Sequence, residues 1–431
     1  MMSRKGFYRG LVAATVLLVL CATLKNVWPP RTPGTRFDNK PKTVSVPTTT
    51  WPYRLVGNGN QDDIQINQDN STYLNDNAKA SLAKDIEGET HVSWFDMCSR
   101  KDDNDVAKIQ QKVKHIMFLK VHKAGSTTME YLFFRFGIHY NLTLVLPKNG
   151  FYVLMRDDLS DILPIRQDAH YDMLASHTIY NSTKISRVLP EDTIKIGIIR
   201  EPFDRMVSAA YYYRDIRKMP YLSAVPKDNF ISNLIRNHSV YDTNEFSQTK
   251  NSMAMDFGFP KGLTENMSYA ISAYISKLSS EFELILIMER FEESLILMKR
   301  LLKWDTSDIL HIATNRNKHI QVTPDTEDLA KFKSMCFLDY AIYNHFWRIF
   351  ESKIASEGKS FKEEVEYFKT VLDSVNAFCR NVKEGDNFKV DGSQWNCPFT
   401  LTSRDCKAME MDLDVISLPI LRERHIKIQG L

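Results

Sequence analysis

The sequence predicts an α/β protein in which a central parallel sheet is flanked by helices. Short apolar runs such as IKIGII (194–199) are typical of strands buried on both faces, as parallel strands are. Helical patterns alternate with these runs, for example over 291–302, and such alternation indicates repeated strand–helix units. A hydrophobic fraction of 43% excludes a disordered chain, and a net charge of only +3 argues against a nucleic-acid-binding protein.

The N-terminus predicts a membrane anchor. Residues 11–24, LVAATVLLVLCATL, carry no charge, and three basic residues precede them. The run is shorter than the roughly 20 residues of a usual span, but Arg9 can lengthen it by snorkelling towards the headgroups. A cleaved signal peptide is the alternative. The charge asymmetry places residues 1–10 in the cytoplasm and the remainder in the lumen, as in a single-pass type II membrane protein.

Residues 25–112 predict a luminal stem, followed by a catalytic domain over 113–431. The stem is rich in Pro, Thr, Asn, Asp and Gln, and it has too few apolar residues to fold alone. A luminal location agrees with five Asn-x-Ser/Thr sequons, at Asn70, Asn141, Asn181, Asn237 and Asn266. Two disulfides and one unpaired thiol are the simplest account of the cysteines beyond the anchor, which are Cys98, Cys336, Cys379, Cys397 and Cys406.

The catalytic domain starts with the apolar run HIMFL at 115–119. Further strand-like runs are LTLVL (142–146), IKIGII (194–199) and ELILIM (283–288), and helical patterns cover 205–217 and 291–302. Beyond about residue 327 the pattern becomes mostly helical. Because no CxxC pair or Cys/His cluster has zinc-ligand spacing, we expect no structural metal.

The turn after the first strand has the character of an anion-binding loop. FLKVHKAGSTTMEYLFFRFG (118–137) places a strand end, a tight turn and a helix start in succession. Free N–H groups at a helix N-terminus attract anions, glycine lets the backbone approach closely, and lysine adds a mobile charge. In a Walker A loop the lysine follows the second glycine, whereas here Lys123 precedes Gly125. An ordinary capped helix start is therefore the alternative.

A second strand end repeats this arrangement. In IGIIREPFDRMVSAAYYYR (196–214), Arg200 ends a strand and Ser208 lies two turns into the next helix. An arginine fork and a hydroxyl so placed could share one phosphate. The alternative is a surface ion pair and an ordinary helical serine.

Together these segments resemble the sulfotransferases that use 3′-phosphoadenosine 5′-phosphosulfate (PAPS), and most closely the Golgi galactose-3-O-sulfotransferase family. SHTIYN (176–181), MERFEESLILMKRLLKW (288–304) and DILHIATNRN (308–317) add to the resemblance. It implies a P-loop-like sulfotransferase fold, a helical C-terminal part and PAPS as sulfate donor, with no metal. Val121, Ala124 and Glu201 depart from the family pattern, which leaves the acceptor less defined than the donor.

The resemblance also implies roles for individual residues. His177 would be the catalytic base, at a position resembling the catalytic histidine of uronyl 2-O-sulfotransferases, and His122 would assist at the sulfuryl group. His122 is the alternative for the base. Arg200 and Ser208 would bind the 3′-phosphate. The phosphosulfate would contact the first loop, with the catalytic Lys123 at its bridge and further contacts from Lys120, Ala124, Gly125, Ser126, Thr127 and Thr128.

The implied acceptor is the 3-hydroxyl of a terminal galactose on a glycolipid or glycoprotein glycan in the Golgi, with a homodimer as a further expectation. A uronyl 2-O-type sulfotransferase is one alternative. A metal-dependent glycosyltransferase is another, with Asp103/Asp105 or Asp412/Asp414 as its DxD pair. A glycan-binding protein on an inactive scaffold is the non-enzymatic alternative, which the joint presence of the site residues argues against.

Overall fold

A four-stranded parallel sheet lies at the centre of the protein. The structure is a computed structural model that describes residues 112–244, 247–312, 322–410 and 418–430. The strands are β1 (Ile116–Leu119), β2 (Met173–Leu174), β3 (Ile194–Ile199) and β4 (Leu284–Ile287). Their order across the sheet is β2–β1–β3–β4, and every neighbouring pair is parallel. The predicted α/β architecture with a central parallel sheet is confirmed.

The strands are apolar because helices cover both faces of the sheet. All four residues of β1 are fully buried, and all four residues of β4 are buried. In the register of β1 and β3, Leu119 pairs with Gly197, so the carboxyl ends of these two central strands lie side by side. In open parallel sheets, ligands bind at the carboxyl ends of the strands. They do so between two neighbouring strands whose following connections run to opposite sides of the sheet.

Helices make up most of the remaining described structure. Those between the strands of the sheet are α1 (Ser126–His139), α2 (Ser182–Ile185), α3 (Pro202–Tyr211), α4 (Pro220–Ser223), α5 (Phe230–Arg236), α6 (His238–Tyr241), α7 (Ser252–Asp256) and α8 (Ser268–Glu281). Those after β4 are α9 (Phe291–Leu302), α10 (Thr326–Met335), α11 (Phe337–Ser356), α12 (Lys359–Arg380), α13 (Ser403–Glu410) and α14 (Leu418–Gln429). A π-helical turn, Tyr212–Ile216, extends α3, and short 3₁₀ turns cover Met288–Arg290 and Thr306–Ile309.

One detail of the sequence prediction is wrong. Residues 142–146 form no strand: they make one isolated bridge, Leu144 with Met173, and the edge strand is the two-residue β2. The C-terminal region is mostly helical, as predicted, and it also contains an antiparallel hairpin that the sequence did not indicate, β5 (Asn387–Val390) with β6 (Phe399–Thr402). Strands of two to four residues are too short for their apolar periodicity to stand out in the sequence.

The N-terminal predictions fall outside the described residues. These are the cytoplasmic tail 1–10, the anchor 11–24 and nearly all of the stem 25–112. Within the described ranges, no helix is long and apolar enough to cross a bilayer. Lys112, at the end of the predicted stem, is already part of the fold, because its buried ammonium lies 2.6 Å from a carboxylate oxygen of Asp308 and 2.7 Å from one of Asp305.

The cysteines of the described ranges agree with an oxidising compartment. Cys379 on α12 and Cys406 on α13 form a disulfide. Cys397 is disulfide-bonded as well. Cys336 is an unpaired, buried thiol whose pKa is raised by burial. The pattern agrees with the sequence prediction of disulfides together with one unpaired thiol.

Candidate active site

The loop between β1 and α1 closes tightly around the N-terminus of a long helix. Lys123 and Gly125 both have positive φ angles, of 63° and 73°. The hydroxyl of Ser126 donates a hydrogen bond of 2.5 Å back to the carbonyl oxygen of Val121, which fixes the turn. A Cβ atom on Gly125 would lie 2.3 Å from the sulfur of Met288, so a side chain there would have to displace Met288 and would also be strained by the positive φ. The loop therefore presents backbone N–H groups at the start of a 14-residue helix.

Lys123 is the mobile cation of this loop. Its ammonium lies 3.9 Å from the ring centroid of Tyr212, on the face of the ring. Burial lowers the pKa of Lys123 to about 8, with smaller contributions from Arg200 and Arg205. Three cationic side chains thus surround one region of the sheet edge, an arrangement that favours a multiply charged anion.

Arg200 joins the second loop to the first. The half-buried guanidinium donates a hydrogen bond of 3.4 Å from Nη1 to the carbonyl oxygen of Lys123. Helix α3 starts directly after it, with Pro202 at its first turn and the Glu201 side chain accepting the amide hydrogen of Asp204 at 2.8 Å. Ser208 lies on α3 and is buried. The two predicted phosphate-binding segments therefore meet at one edge of the sheet.

His122 is held by a carboxylate that sequence analysis did not single out. Its Nδ1 lies 2.8 and 3.0 Å from the two carboxylate oxygens of Asp256, and its backbone N–H donates to the same carboxylate at 2.8 Å. Its Nε2 is 3.0 Å from the hydroxyl of Tyr152. The carboxylate accepts a hydrogen bond from the Nδ1–H group of the neutral imidazole, which leaves Nε2 as the acceptor and fixes the plane of the ring.

His177 stacks on His122. The ring centroids are 4.2 Å apart with an interplanar angle of 17°. Burial, followed by the nearby Lys120 and His122, lowers the pKa of His177 well below its usual value. Its Nδ1 is buried and has no hydrogen-bond partner within the described ranges. His177 is thus a neutral imidazole in the same site as the loop cation.

The other predicted site residues differ in how accessible they are to a ligand. Lys120 forms a buried ion pair with Glu130, so its ammonium is occupied within the protein. Ala124 is fully buried and could offer only its backbone to a ligand. Thr127 is exposed and Thr128 is half-buried, at the start of α1.

Four contributors to the site could not be found from sequence motifs. Asp256 ends α7, Tyr152 lies on a loop, Tyr212 begins the π-helical turn and Arg205 lies on α3. The Arg205 side chain is fully buried and donates to the carbonyl oxygen of Gln248 at 3.0 Å. Only Arg205 and Tyr212 lie in a segment that sequence analysis had selected. The two DxD pairs, Asp103/Asp105 and Asp412/Asp414, lie outside the described residues.

The fold and the site define an α/β protein with a central parallel sheet, in which a cationic loop at the start of a helix lies beside a histidine pair. Comparison with known proteins then gives the family. A family model described as "Galactose-3-O-sulfotransferase" matches residues 71–391. The chain belongs to this family, which confirms the assignment made from the sequence and identifies an enzyme that transfers sulfuryl groups.

Individual relatives agree with the family model. The chain is 28% identical to Galactose-3-O-sulfotransferase 2 of Mus musculus over 298 residues, which cover 65% of this chain and 73% of the relative. It is 30% identical to Galactose-3-O-sulfotransferase 3 of Mus musculus, over 64% of this chain and 65% of the relative. It is 27% identical to Galactosylceramide sulfotransferase of Homo sapiens, over 58% of this chain and 60% of the relative.

Proposed function

We propose that the protein transfers the sulfuryl group of PAPS to the 3-hydroxyl of a terminal galactose on a glycolipid or a glycoprotein glycan. The observation that carries the proposal is the meeting of Lys123, Arg200 and the His122–His177 pair at the carboxyl edge of the sheet. Cations for a nucleotide and an imidazole for a hydroxyl proton are the groups that sulfuryl transfer needs. The names of the family and of its relatives support galactose as the acceptor sugar.

The donor would lie across the two loops. Lys123, Gly125 and Ser126, with Thr127 and Thr128 at the helix start, would hold the 5′-phosphosulfate, and Arg200 with Ser208 would hold the 3′-phosphate. Gly125 supports this assignment through its positive φ of 73°, because this backbone conformation shapes the turn that presents the N–H groups of the helix start. Lys120 would act indirectly, since its ammonium is paired with Glu130.

His177 would act as the base and His122 would assist at the sulfuryl group. In the reaction the galactose oxygen forms a bond to sulfur while the bond from sulfur to the phosphate oxygen breaks. The hydroxyl proton passes to the base, and adenosine 3′,5′-bisphosphate leaves. A neutral imidazole can accept that proton, and the lowered pKa keeps His177 neutral. His122 is the rival for the role, because Asp256 orients it as a base is oriented in other enzymes.

Product analysis tests the reaction. The purified protein is incubated with sulfur-labelled PAPS and a panel of galactosides, and the linkage of the sulfate is determined. We expect sulfate on the 3-hydroxyl of terminal galactose. Sulfate only on a 6-hydroxyl, or only on a uronic acid, would reject the galactose 3-O assignment in favour of another carbohydrate sulfotransferase.

Variants test the site. Lys123→Ala and Arg200→Ala each remove a charged phosphate partner and should weaken binding of adenosine 3′,5′-bisphosphate by about 1.5–3 kcal/mol. Lys362→Ala, at an exposed position on α12, is the matched control. Unchanged binding in both site variants would contradict the donor assignment. His177→Ala should lose most turnover while binding the nucleotide normally; near-normal turnover would assign the base to His122.

The proposal includes a Golgi location as a single-pass type II protein, with its tail, anchor and stem at 1–10, 11–24 and 25–112. The Cys379–Cys406 disulfide supports a luminal catalytic domain. The sequon asparagines within the described ranges are all exposed, as glycosylation requires; they are Asn141, Asn181, Asn237 and Asn266. Sensitivity of the expressed protein to N-glycosidase, together with its co-localisation with Golgi markers, tests this part.

A further inference from the structure

A second cluster of potential metal ligands lies at the amino ends of the strands, whereas the candidate active site lies at their carboxyl ends. His115 directly precedes β1, Asp172 directly precedes β2, and His170 lies two residues before Asp172. One ligand atom from each residue lies within 4.8 Å of the other two. We propose that these three side chains bind a divalent zinc ion that has a structural role.

The distances from each histidine to Asp172 suit a tetrahedral metal. Nε2 of His170 lies 3.1 Å from Oδ1 of Asp172, and Nε2 of His115 lies 3.6 Å from the same oxygen. Ligands about 2.0–2.2 Å from zinc in a tetrahedral site are roughly 3.3 Å from one another. The imidazole rings are nearly perpendicular, at 89°, with centroids 5.4 Å apart. Two imidazoles and one carboxylate would leave the fourth position to water.

Two of the three ligands, His115 and Asp172, are oriented by further contacts. Nδ1 of His115 lies 2.7 Å from a carboxylate oxygen of Asp192, just before β3. A carboxylate on one imidazole nitrogen, with the metal on the other, is the usual second contact of zinc-bound histidine. The Oδ2 atom of Asp172 accepts the backbone N–H of Thr143 at 2.6 Å, which leaves Oδ1 for the metal. The Asp172 carbonyl oxygen accepts the N–H of Ile116 at 3.0 Å, and this bond ties the ligand to the sheet.

Both nitrogens of the His115 ring face carboxylates. Nδ1 lies 2.7 Å from an oxygen of Asp192, and Nε2 lies 3.6 Å from Oδ1 of Asp172. A metal ion placed between Nε2 and Oδ1 would be coordinated by both atoms. Imidazole nitrogen is also a ligand that selects zinc over magnesium and calcium.

A zinc ion at this position would link the starts of three strands. It would bind residues before β1 and β2 directly, and it would reach the start of β3 through Asp192. The consequence is a stabilised sheet rather than a catalytic metal. The sequence predicts no structural metal, because it contains no CxxC pair or Cys/His cluster with zinc-ligand spacing; His115 and His170 are 55 positions apart and do not form such a cluster along the chain.

Calorimetry with zinc chloride tests the proposal on the full chain after dialysis against a chelator. We expect one zinc per chain at low micromolar or tighter affinity, and a zinc-dependent rise in Tm. His170→Ala is the main variant, since this side chain is 62% exposed and its loss leaves the fold intact. It should weaken zinc binding at least tenfold and remove the rise in Tm. His345→Ala, at a half-buried histidine outside the cluster, should behave as wild type.

A second variant and a spectrum complete the test. Asp172→Asn keeps an acceptor for the N–H of Thr143 but removes the charged ligand, and it should also lose high-affinity binding. Cobalt(II) in the wild-type site should give the visible absorption of a four-coordinate ion. Equal zinc affinity in wild type and both ligand variants, or no binding in wild type, would overturn the proposal and leave the cluster as ion pairs. None of these measurements depends on sulfotransferase activity.

Discussion

Lys123 gives the candidate site a pH dependence that can be measured directly. Its pKa is lowered from 10.5 to about 8, by burial first and then by Arg200 and Arg205. In the free protein Lys123 is therefore almost fully protonated well below pH 8, and it loses its proton as the pH rises through that value. A nucleotide that needs the ammonium must then bind with uptake of a proton, so its affinity falls with rising pH.

The size of the effect follows from the lowered pKa. The apparent dissociation constant is multiplied by one plus the ratio of neutral to charged lysine, which is about 1.1 at pH 7 and about 11 at pH 9. Phosphate groups with a second pKa near 6 are already ionised over this range, so the titration of the ligand contributes little to the pH dependence of binding. We expect adenosine 3′,5′-bisphosphate to bind about tenfold more weakly at pH 9 than at pH 7.

Isothermal titration calorimetry in two buffers of different ionisation enthalpy measures both the affinity and the proton uptake. Wild type should take up close to one proton for each nucleotide bound at pH 9 and almost none at pH 7. Lys123→Arg is the control, because a guanidinium stays charged throughout this range. A wild-type affinity that is flat between pH 7 and pH 9, or an equal decline in Lys123→Arg, would refute the role of Lys123.

Three further predictions concern orientation, packing and cross-linking. In Asp256→Asn, the amide oxygen can still accept the backbone N–H of His122, so the NH₂ group must donate to Nδ1 of His122. This donation forces the imidazole proton onto Nε2. Turnover should therefore fall by roughly 10²–10⁴, while nucleotide affinity changes less than twofold. Normal turnover would show that the tautomer is irrelevant. Gly125→Ala should destabilise the fold by about 1–3 kcal/mol in thermal unfolding, and more than Gly150→Ala, whose Cβ meets nothing within 4 Å; equal losses would exclude the packing clash. Cys379→Ala opens a disulfide that spans 27 residues and should cost about 3.5 kcal/mol in denaturant unfolding, whereas a loss under 1 kcal/mol would mean that the closed loop contributes little.

The parts of the fold that the sequence predicted are those with a long, uniform pattern. The apolar runs at 115–119, 194–199 and 283–288 contain the strands β1, β3 and β4, because runs of this kind are accommodated by burial on both faces of a sheet. The run at 142–146 is equally apolar but forms no strand, since its neighbours in space determine whether its backbone pairs. A two-residue strand such as β2 leaves no periodic signal at all.

The site was predictable wherever its residues follow one another along the chain. The turn with Lys123 and Gly125 can be recognised from its local composition. Asp256 does not, because it reaches His122 only when α7 packs beside the loop, 134 residues further along the chain. The same holds for the histidine–aspartate cluster before β1 and β2. Contacts between distant segments depend on tertiary packing, and a single sequence carries no direct record of them.

The hydrogen bond from Arg200 to the carbonyl oxygen of Lys123 bears on how the enzyme would distinguish complete from truncated donors. The guanidinium that would grip the remote 3′-phosphate also supports the backbone of the loop that would hold the reacting end. Binding energy gained far from sulfur is then available to align the sulfuryl group. Adenosine 5′-phosphosulfate, which lacks the 3′-phosphate, would leave that support unanchored and would suffer in kcat as well as in KM. The enzyme would in this way select PAPS over adenosine 5′-phosphosulfate through the rate of reaction, and the selecting contact would lie at the 3′-phosphate, far from sulfur.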